Sequence, residues 1–125
     1  MSTILIVDDE ESVLAVTAAI LQKRGYKTIQ SKDVENAERL IALGGVDLVL
    51  VDVVIPGRGG LDLLMRLRTE YPTLPVVVMS GKVRTNTDPF RTLAEQFGAR
   101  CILPKPFTAD ELTESVASVL NKACC

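Results

Sequence analysis

The sequence predicts an α/β fold, a doubly wound five-stranded parallel sheet, in a single domain over residues 1–125. Two observations predict it. Short aliphatic runs alternate with helix-like stretches five times along the chain, the pattern of strands joined by helical crossovers. Four of the five runs are almost uninterrupted aliphatic sequence, as expected of strands covered by helices on both faces. Hydrophobic residues make up 47% of the 125 residues but aromatic ones only 4%, so the core has to be aliphatic. A chain of this length buries roughly two thirds of its unfolded surface.

The elements follow in order. Ile4-Leu5-Ile6-Val7 marks a first strand over 3–7, and a helix over 11–24 is closed by Gly25 as its C′ residue. Lys27-Thr28-Ile29-Gln30-Ser31 is more polar and reads as an edge strand. Val34, Ala37, Leu40 and Ile41 repeat at helical spacing over 34–43 and run into Gly44-Gly45. Leu48-Val49-Leu50-Val51 defines a strand over 47–51. Leu61, Leu64, Met65 and Leu67 define a helix over 61–70, stopped by Pro72. Val76-Val77-Val78-Met79 gives a strand over 75–80. Asp88-Pro89 reads as N-cap and N1 of a short helix ending at Gly98. The last strand covers 100–103. Thr108 and Glu111 form a capping box ahead of a final helix carrying Leu112, Val116, Val119 and Leu120. That helix runs to the end of the sequence, so no second domain is expected.

Composition excludes several functions. A net charge of -2 without a Lys/Arg block gives no electrostatic basis for nucleic-acid binding. The apolar runs are too short to span a bilayer, and Met1-Ser2-Thr3 lacks the layout of a signal peptide, so a cytoplasmic location is expected. Histidine is absent, which removes the usual general base and any phosphohistidine carrier in this chain. Of the three cysteines, Cys101 reads as a small core residue and Cys124-Cys125 as a frayed tail.

The chemistry gathers at the carboxyl ends of the runs. Asp8 and Asp9 follow the first, Asp52 the third, Ser80 the fourth, and Lys105 lies just beyond the last. In doubly wound sheets that edge is where ligands bind. Two carboxylates about 5 Å apart repel by roughly 3 kcal/mol at an effective dielectric near 20. A divalent cation relieves this, and an all-oxygen ligand set favours a hard ion such as magnesium. Each residue also has a plainer reading: acids complementing a helix N-terminus, a turn serine, a solvated lysine. Their joint placement favours phosphoryl transfer to a carboxylate, whose charge a metal, a hydroxyl and an ammonium would offset.

Here the chain resembles, end to end, the receiver domain of two-component response regulators. The resemblance rests on Ile4-Leu5-Ile6-Val7-Asp8-Asp9-Glu10, Asp52-Val53-Val54-Ile55-Pro56 with Gly60, Ser80-Gly81 and Lys105-Pro106-Phe107. It implies a flavodoxin-like (β/α)5 fold with strand order 2-1-3-4-5. It implies phosphorylation of Asp52 from a phosphohistidine of a histidine kinase or phosphotransfer protein, with Ser80 and Lys105 beside the phosphoryl group. It assigns Mg2+ (or Mn2+) to Asp9, Asp52 and the backbone carbonyl of Val54, with Asp8 acting largely through water. It suggests a cis Lys105-Pro106 bond. It further implies a phosphoacceptor rather than a true enzyme, a monomer or weak phosphorylation-dependent dimer, and an unidentified downstream protein. Output is expected through the face made by the fourth helix, fifth strand and fifth helix.

The sequence departs from the family in places. Receivers usually carry Tyr or Phe where Ile102 stands, so the coupling of hydroxyl to aromatic ring cannot operate in its usual form. The stretch from Ser80 to Gly98 is long, and 81–88 reads as a loop. Val54 and Lys82 occupy positions that in receivers flank the route of attacking water, and an apolar Val54 cannot orient that water by hydrogen bonding, so a moderately long-lived phosphorylated state is expected. The first helix has more apolar residues than one buried stripe needs, among them Val13, Val16 and Ile20, which suits docking of the histidine-bearing partner. One competing reading is a phosphorylation-independent interaction module of the same fold. An aspartyl-phosphate phosphatase fits poorly, because Asp8-Asp9-Glu10-Glu11 does not match its first-strand pattern. A flavodoxin-like FMN carrier fits worse, since four acids would repel its phosphate.

Overall fold

The computed structural model describes residues 2–52, 59–80, 99, 101–104 and 107–121. Five parallel strands form one sheet: β1 (Thr3–Val7), β2 (Lys27–Ser31), β3 (Leu48–Asp52), β4 (Val76–Ser80) and β5 (Cys101–Pro104), in the order β2-β1-β3-β4-β5. The described helices are α1 (Glu11–Lys23), α2 (Val34–Ala42), α3 (Gly59–Glu70) and α4 (Ala109–Leu120). The expected helix from Asp88 to Gly98, the loop before it, and Val54, Lys82, Lys105 and Pro106 lie outside the described residues.

Strand alternation divides the core into two layers. Leu5, Val7, Val49, Val51, Val76 and Val78 face α2 and α3, while Ile4, Ile6, Leu48, Leu50, Val77 and Met79 face α1 and α4. Successive side chains on a strand point to opposite faces, so a strand covered on both must be apolar throughout. All four apolar residues from Ile4 to Val7, and all four from Leu48 to Val51, are fully buried. The more polar β2 is an edge, as its sequence predicts; at the opposite edge is β5.

Local signals set the helix ends. Gly25 has φ +92, a left-handed conformation that lets the chain turn from α1 into β2. Asp33 caps α2 by accepting from the Asn36 N–H at 2.7 Å. The Thr108–Glu111 capping box of α4 is complete, with bonds of 2.8 and 3.0 Å. Several boundaries shift by a residue, with α1, α2, β4 and β5 among them, and two differences bear on the site or have a clear cause. β3 begins at Leu48 and includes Asp52. Asp47 instead ties its own backbone and carboxylate to Thr3, with the Thr3 N–H donating to Asp47 Oδ2 at 2.8 Å. α3 starts at Gly59, because its first turn contains glycines that carry no hydrophobic period.

Cys101 is buried as expected, but it is also disulfide-bonded, which corrects its reading as a simple core residue. Connectivity of that kind is invisible to hydrophobic pattern. Among the described residues one buried polar group has no compensation: the Thr17 hydroxyl on α1 finds no hydrogen-bond partner. Replacing such a hydroxyl by an isosteric methyl removes a desolvation cost without opening a cavity. Thr17→Val should therefore raise the unfolding free energy by about 1 kcal/mol, read from urea denaturation midpoints at unchanged slope.

Candidate functional site at the carboxyl edge of the sheet

The register of the three central strands builds the site. Val7 pairs with Val51, so Asp8 follows β1 directly beside Asp52, the last residue of β3. Neighbouring strands run about 4.8 Å apart. Asp52 pairs in turn with Met79, which places Ser80 one residue further along β4. Ser80 pairs with Pro104, the residue immediately before Lys105 in the sequence. The structure thus brings Asp8, Asp9, Asp52 and Ser80 to one edge; Lys105 and Val54 lie outside the described residues.

Burial sharpens the electrostatics. Asp8 is fully buried and Asp52 only 6% exposed, in a chain whose other buried polar residues, among those described, are the neutral Thr17, Ser31 and Thr113. Carboxylates held this far from water at adjacent strand ends require compensating donors or cations. Part of that requirement is met locally. Asp8 Oδ1 accepts from the Glu10 N–H at 3.0 Å, and the Asp8 N–H donates to the Ser31 carbonyl at 3.1 Å. The first bond stabilises the turn into α1, whose N-cap Glu10 makes no side-chain cap of its own. Asp8 therefore serves the turn and faces the acidic cluster at once.

The carboxylate oxygens of Asp8, Asp9 and Glu10 come within 4.8 Å of one another. An all-oxygen set of this charge suits a hard divalent cation. Glu10 was absent from the expected ligands, although the unbroken Asp8-Asp9-Glu10-Glu11 run was its signal; Asp52, an expected ligand, stands on the next strand and is not among the carboxylates that converge within that distance. At the rim, Lys32 after β2 pairs with Glu11 at the start of α1. That bond and the lysine's charge hold the Glu11 carboxyl below its ordinary value of 4.5.

Comparison with known proteins decides the family. Residues 4–117 match the model of the response regulator receiver domain. The chain belongs to that family. Response regulator GtcR of Aneurinibacillus migulanus is 34% identical over 121 residues, 97% of this chain and 48% of that protein. The DNA-binding transcriptional regulator NtrC of Rhizobium meliloti is 37% identical over 119 residues, 95% of this chain and 24% of that protein. This receiver thus spans about half or a quarter of the length of the curated relatives it matches. Among solved structures, the NtrX receiver domain of Brucella abortus is 33% identical, covers 96% of this chain and 99% of that one, and superposes with a TM-score of 0.88. The chemotaxis protein CheY4 of Vibrio cholerae, at 23% identity and a TM-score of 0.87, covers 95% of this chain and 98% of that one and shares the fold. The expected fold, strand order and family are all met, and the function is that of a phosphoacceptor signalling module of two-component systems.

Two outcomes follow from this electrostatic arrangement. Removing one acid should relieve repulsion, so Asp52→Asn is expected to stabilise the magnesium-free protein by about 1–2 kcal/mol after solvent screening. Thermal melts with and without magnesium check it, with the added ion stabilising the native chain more than the variant. For Glu11, whose value is depressed by folding, the ion pair contributes above the unfolded carboxyl's pKa and is lost as pH falls through the folded one. In Lys32→Met the Glu11 titration midpoint, followed by carboxyl NMR shifts, should rise toward 4.5.

Proposed function

We propose that Asp52 is the phosphoacceptor of this receiver, taking its phosphoryl group from a phosphohistidine on a histidine kinase or phosphotransfer protein. The observation that carries this reading is the register: Asp52 ends the central strand, with Asp8 beside it on one side and Ser80 one residue beyond its partner on the other. A carboxylate oxygen of Asp52 attacks the phosphorus as the bond to the donor imidazole breaks, leaving an acyl phosphate and a neutral histidine on the donor. Near-complete burial of Asp52 limits water around it and strengthens every neighbouring charge and dipole.

Asp8, Asp9 and Asp52, with the Val54 carbonyl, would hold Mg2+ or Mn2+, and Glu10 lies close enough to contribute an oxygen. Such a cation supplies charge neutralisation for the phosphoryl oxygens. Ser80 donates a hydrogen bond to one phosphoryl oxygen and Lys105 pairs with another. Ile102 is half-buried and packs against the aliphatic layer facing α2 and α3, so an aromatic rotamer change at that position is not the switch.

The surface of α1 supports a docking role. Leu14, Thr17, Ala18 and Leu21 are its buried residues, and Val16 remains 58% exposed. Single exposed apolar residues are ordinary, but this one stands on the helix that begins at the acidic cluster. The chain is read as acting in the cytoplasm through protein contacts rather than turnover. Among the described residues no helix is long and apolar enough to cross a membrane.

Incubation with acetyl phosphate and magnesium should add one phosphoryl group by intact mass, and Asp52→Asn should add none. Lys105→Ala should slow the addition by about 10²-fold, the scale of losing one preorganised charge partner. An unmodified native chain, or equal modification of Asp52→Asn, would support instead a phosphorylation-independent interaction module.

A further inference from the structure

The run Asp8-Asp9-Glu10-Glu11 is held at both ends by the turn from β2 into α2. Val7 pairs with Ser31, and the Asp8 N–H donates to the Ser31 carbonyl at 3.1 Å. At the other end Lys32 pairs with Glu11, but that pair is solvent-exposed and contributes little. The stronger hold is the buried one at Ser31. Ser31 is 2% exposed, so its hydroxyl has to find partners inside the protein. It donates to the Asp33 carbonyl at 2.8 Å and accepts from Asn36 Nδ2 at 3.1 Å. The Asn36 amide is oriented from its other side as well, because its oxygen accepts from Arg39. With the Asn36 N–H donating to the Asp33 carboxylate at 2.7 Å, the turn is closed on itself.

We propose that Ser31 and Asn36 are positioning residues for the cation site, a hydroxyl–amide pair that fixes the Ser31 carbonyl and through it the buried Asp8. This role rests on the reading of Asp8, Asp9 and Glu10 as the seat of a divalent cation. Neither side chain belongs to the acid cluster; each acts through the backbone. Asp8 carries the constraint onward, since its Oδ1 accepts from the Glu10 N–H at 3.0 Å. A displaced Ser31 carbonyl would therefore move two of the converging acids. Carboxylates this close repel one another and spread unless they are held. Holding them during folding removes the cost of ordering them when the cation binds, which raises affinity. Alanine at position 31 would leave the Asn36 amide without its acceptor and loosen the turn. Ser31 and Asn36 are uncharged, so their effect on the cation is geometric. Lys32 is no part of this device, because its own charge opposes a cation.

The test titrates the full chain with magnesium chloride by calorimetry. Ser31→Ala and Asn36→Ala should each weaken Mg2+ binding by about 10-fold, the lower end of what outer partners of metal ligands contribute. Ser31→Thr keeps the hydroxyl and should stay within about 2-fold of the native affinity. Asn36→Ala keeps the test decisive if Ser31→Ala folds poorly, because alanine favours the helix it enters. Ile41→Val, near the other end of α2, should lower the melting temperature by a few degrees and leave Mg2+ affinity unchanged. That control separates positioning from general stability. With acetyl phosphate, the half-saturating Mg2+ concentration should rise by the same factor in Ser31→Ala while the rate at saturating Mg2+ holds. Equal Mg2+ affinity in the native chain, Ser31→Ala and Asn36→Ala would overturn the proposal and leave the cation site standing. Weakened binding in Ile41→Val, or no recovery in Ser31→Thr, would do the same. A native chain that takes up no Mg2+ would overturn both.

Discussion

Everything at the functional edge depends on placing two desolvated carboxylates at the ends of adjacent central strands. Asp8 and Asp52 are brought side by side by the pairing of Val7 with Val51, and both are buried. The cost of that arrangement is carried by the aliphatic interior behind it, where eight residues of β1 and β3 are fully enclosed. Hydrophobic burial sets the register, and the register sets the charge. A one-residue slip of β3 would turn its side chains to the opposite layers and separate the two acids.

The same constraint explains the form of the surrounding polar contacts. The Asp8 carboxylate accepts a backbone N–H two residues on, while its own N–H reaches across to β2. These bonds fix the acid's position. Lys32, paired with Glu11, neutralises charge at the rim and not at the centre. The converging carboxylates of Asp8, Asp9 and Glu10 form an all-oxygen set that suits a hard cation.

Much of the sheet was legible because its strands are buried on both faces, so apolar runs mark them almost to the residue. The acids were legible because they interrupt those runs at one end. Glu10 was missed as a potential ligand because four consecutive acids give no hint of which carboxylates converge. The start of α3 was missed because Gly59 and Gly60 carry no side-chain period. Thr17 was hidden for the opposite reason: a polar residue inside a helical stripe looks exposed until packing encloses it. The bond at Cys101 was invisible because connectivity depends on three-dimensional proximity, which no spacing rule supplies.

The position of β1 has a kinetic consequence. It lies between β2 and β3, so the sheet cannot grow by adding strands outward in chain order from one edge. β1 and β2 can pair once α1 has formed, but β3 must then return past both to the free side of β1. No strand pair in this sheet is a local hairpin, and each forms only after a long loop has been closed. A topology of this kind makes folding a matter of non-local encounters, slower than in a helical bundle of equal length. Until β3 arrives, the apolar flank of β1 stays open to solvent, and the acidic edge is completed only at that step.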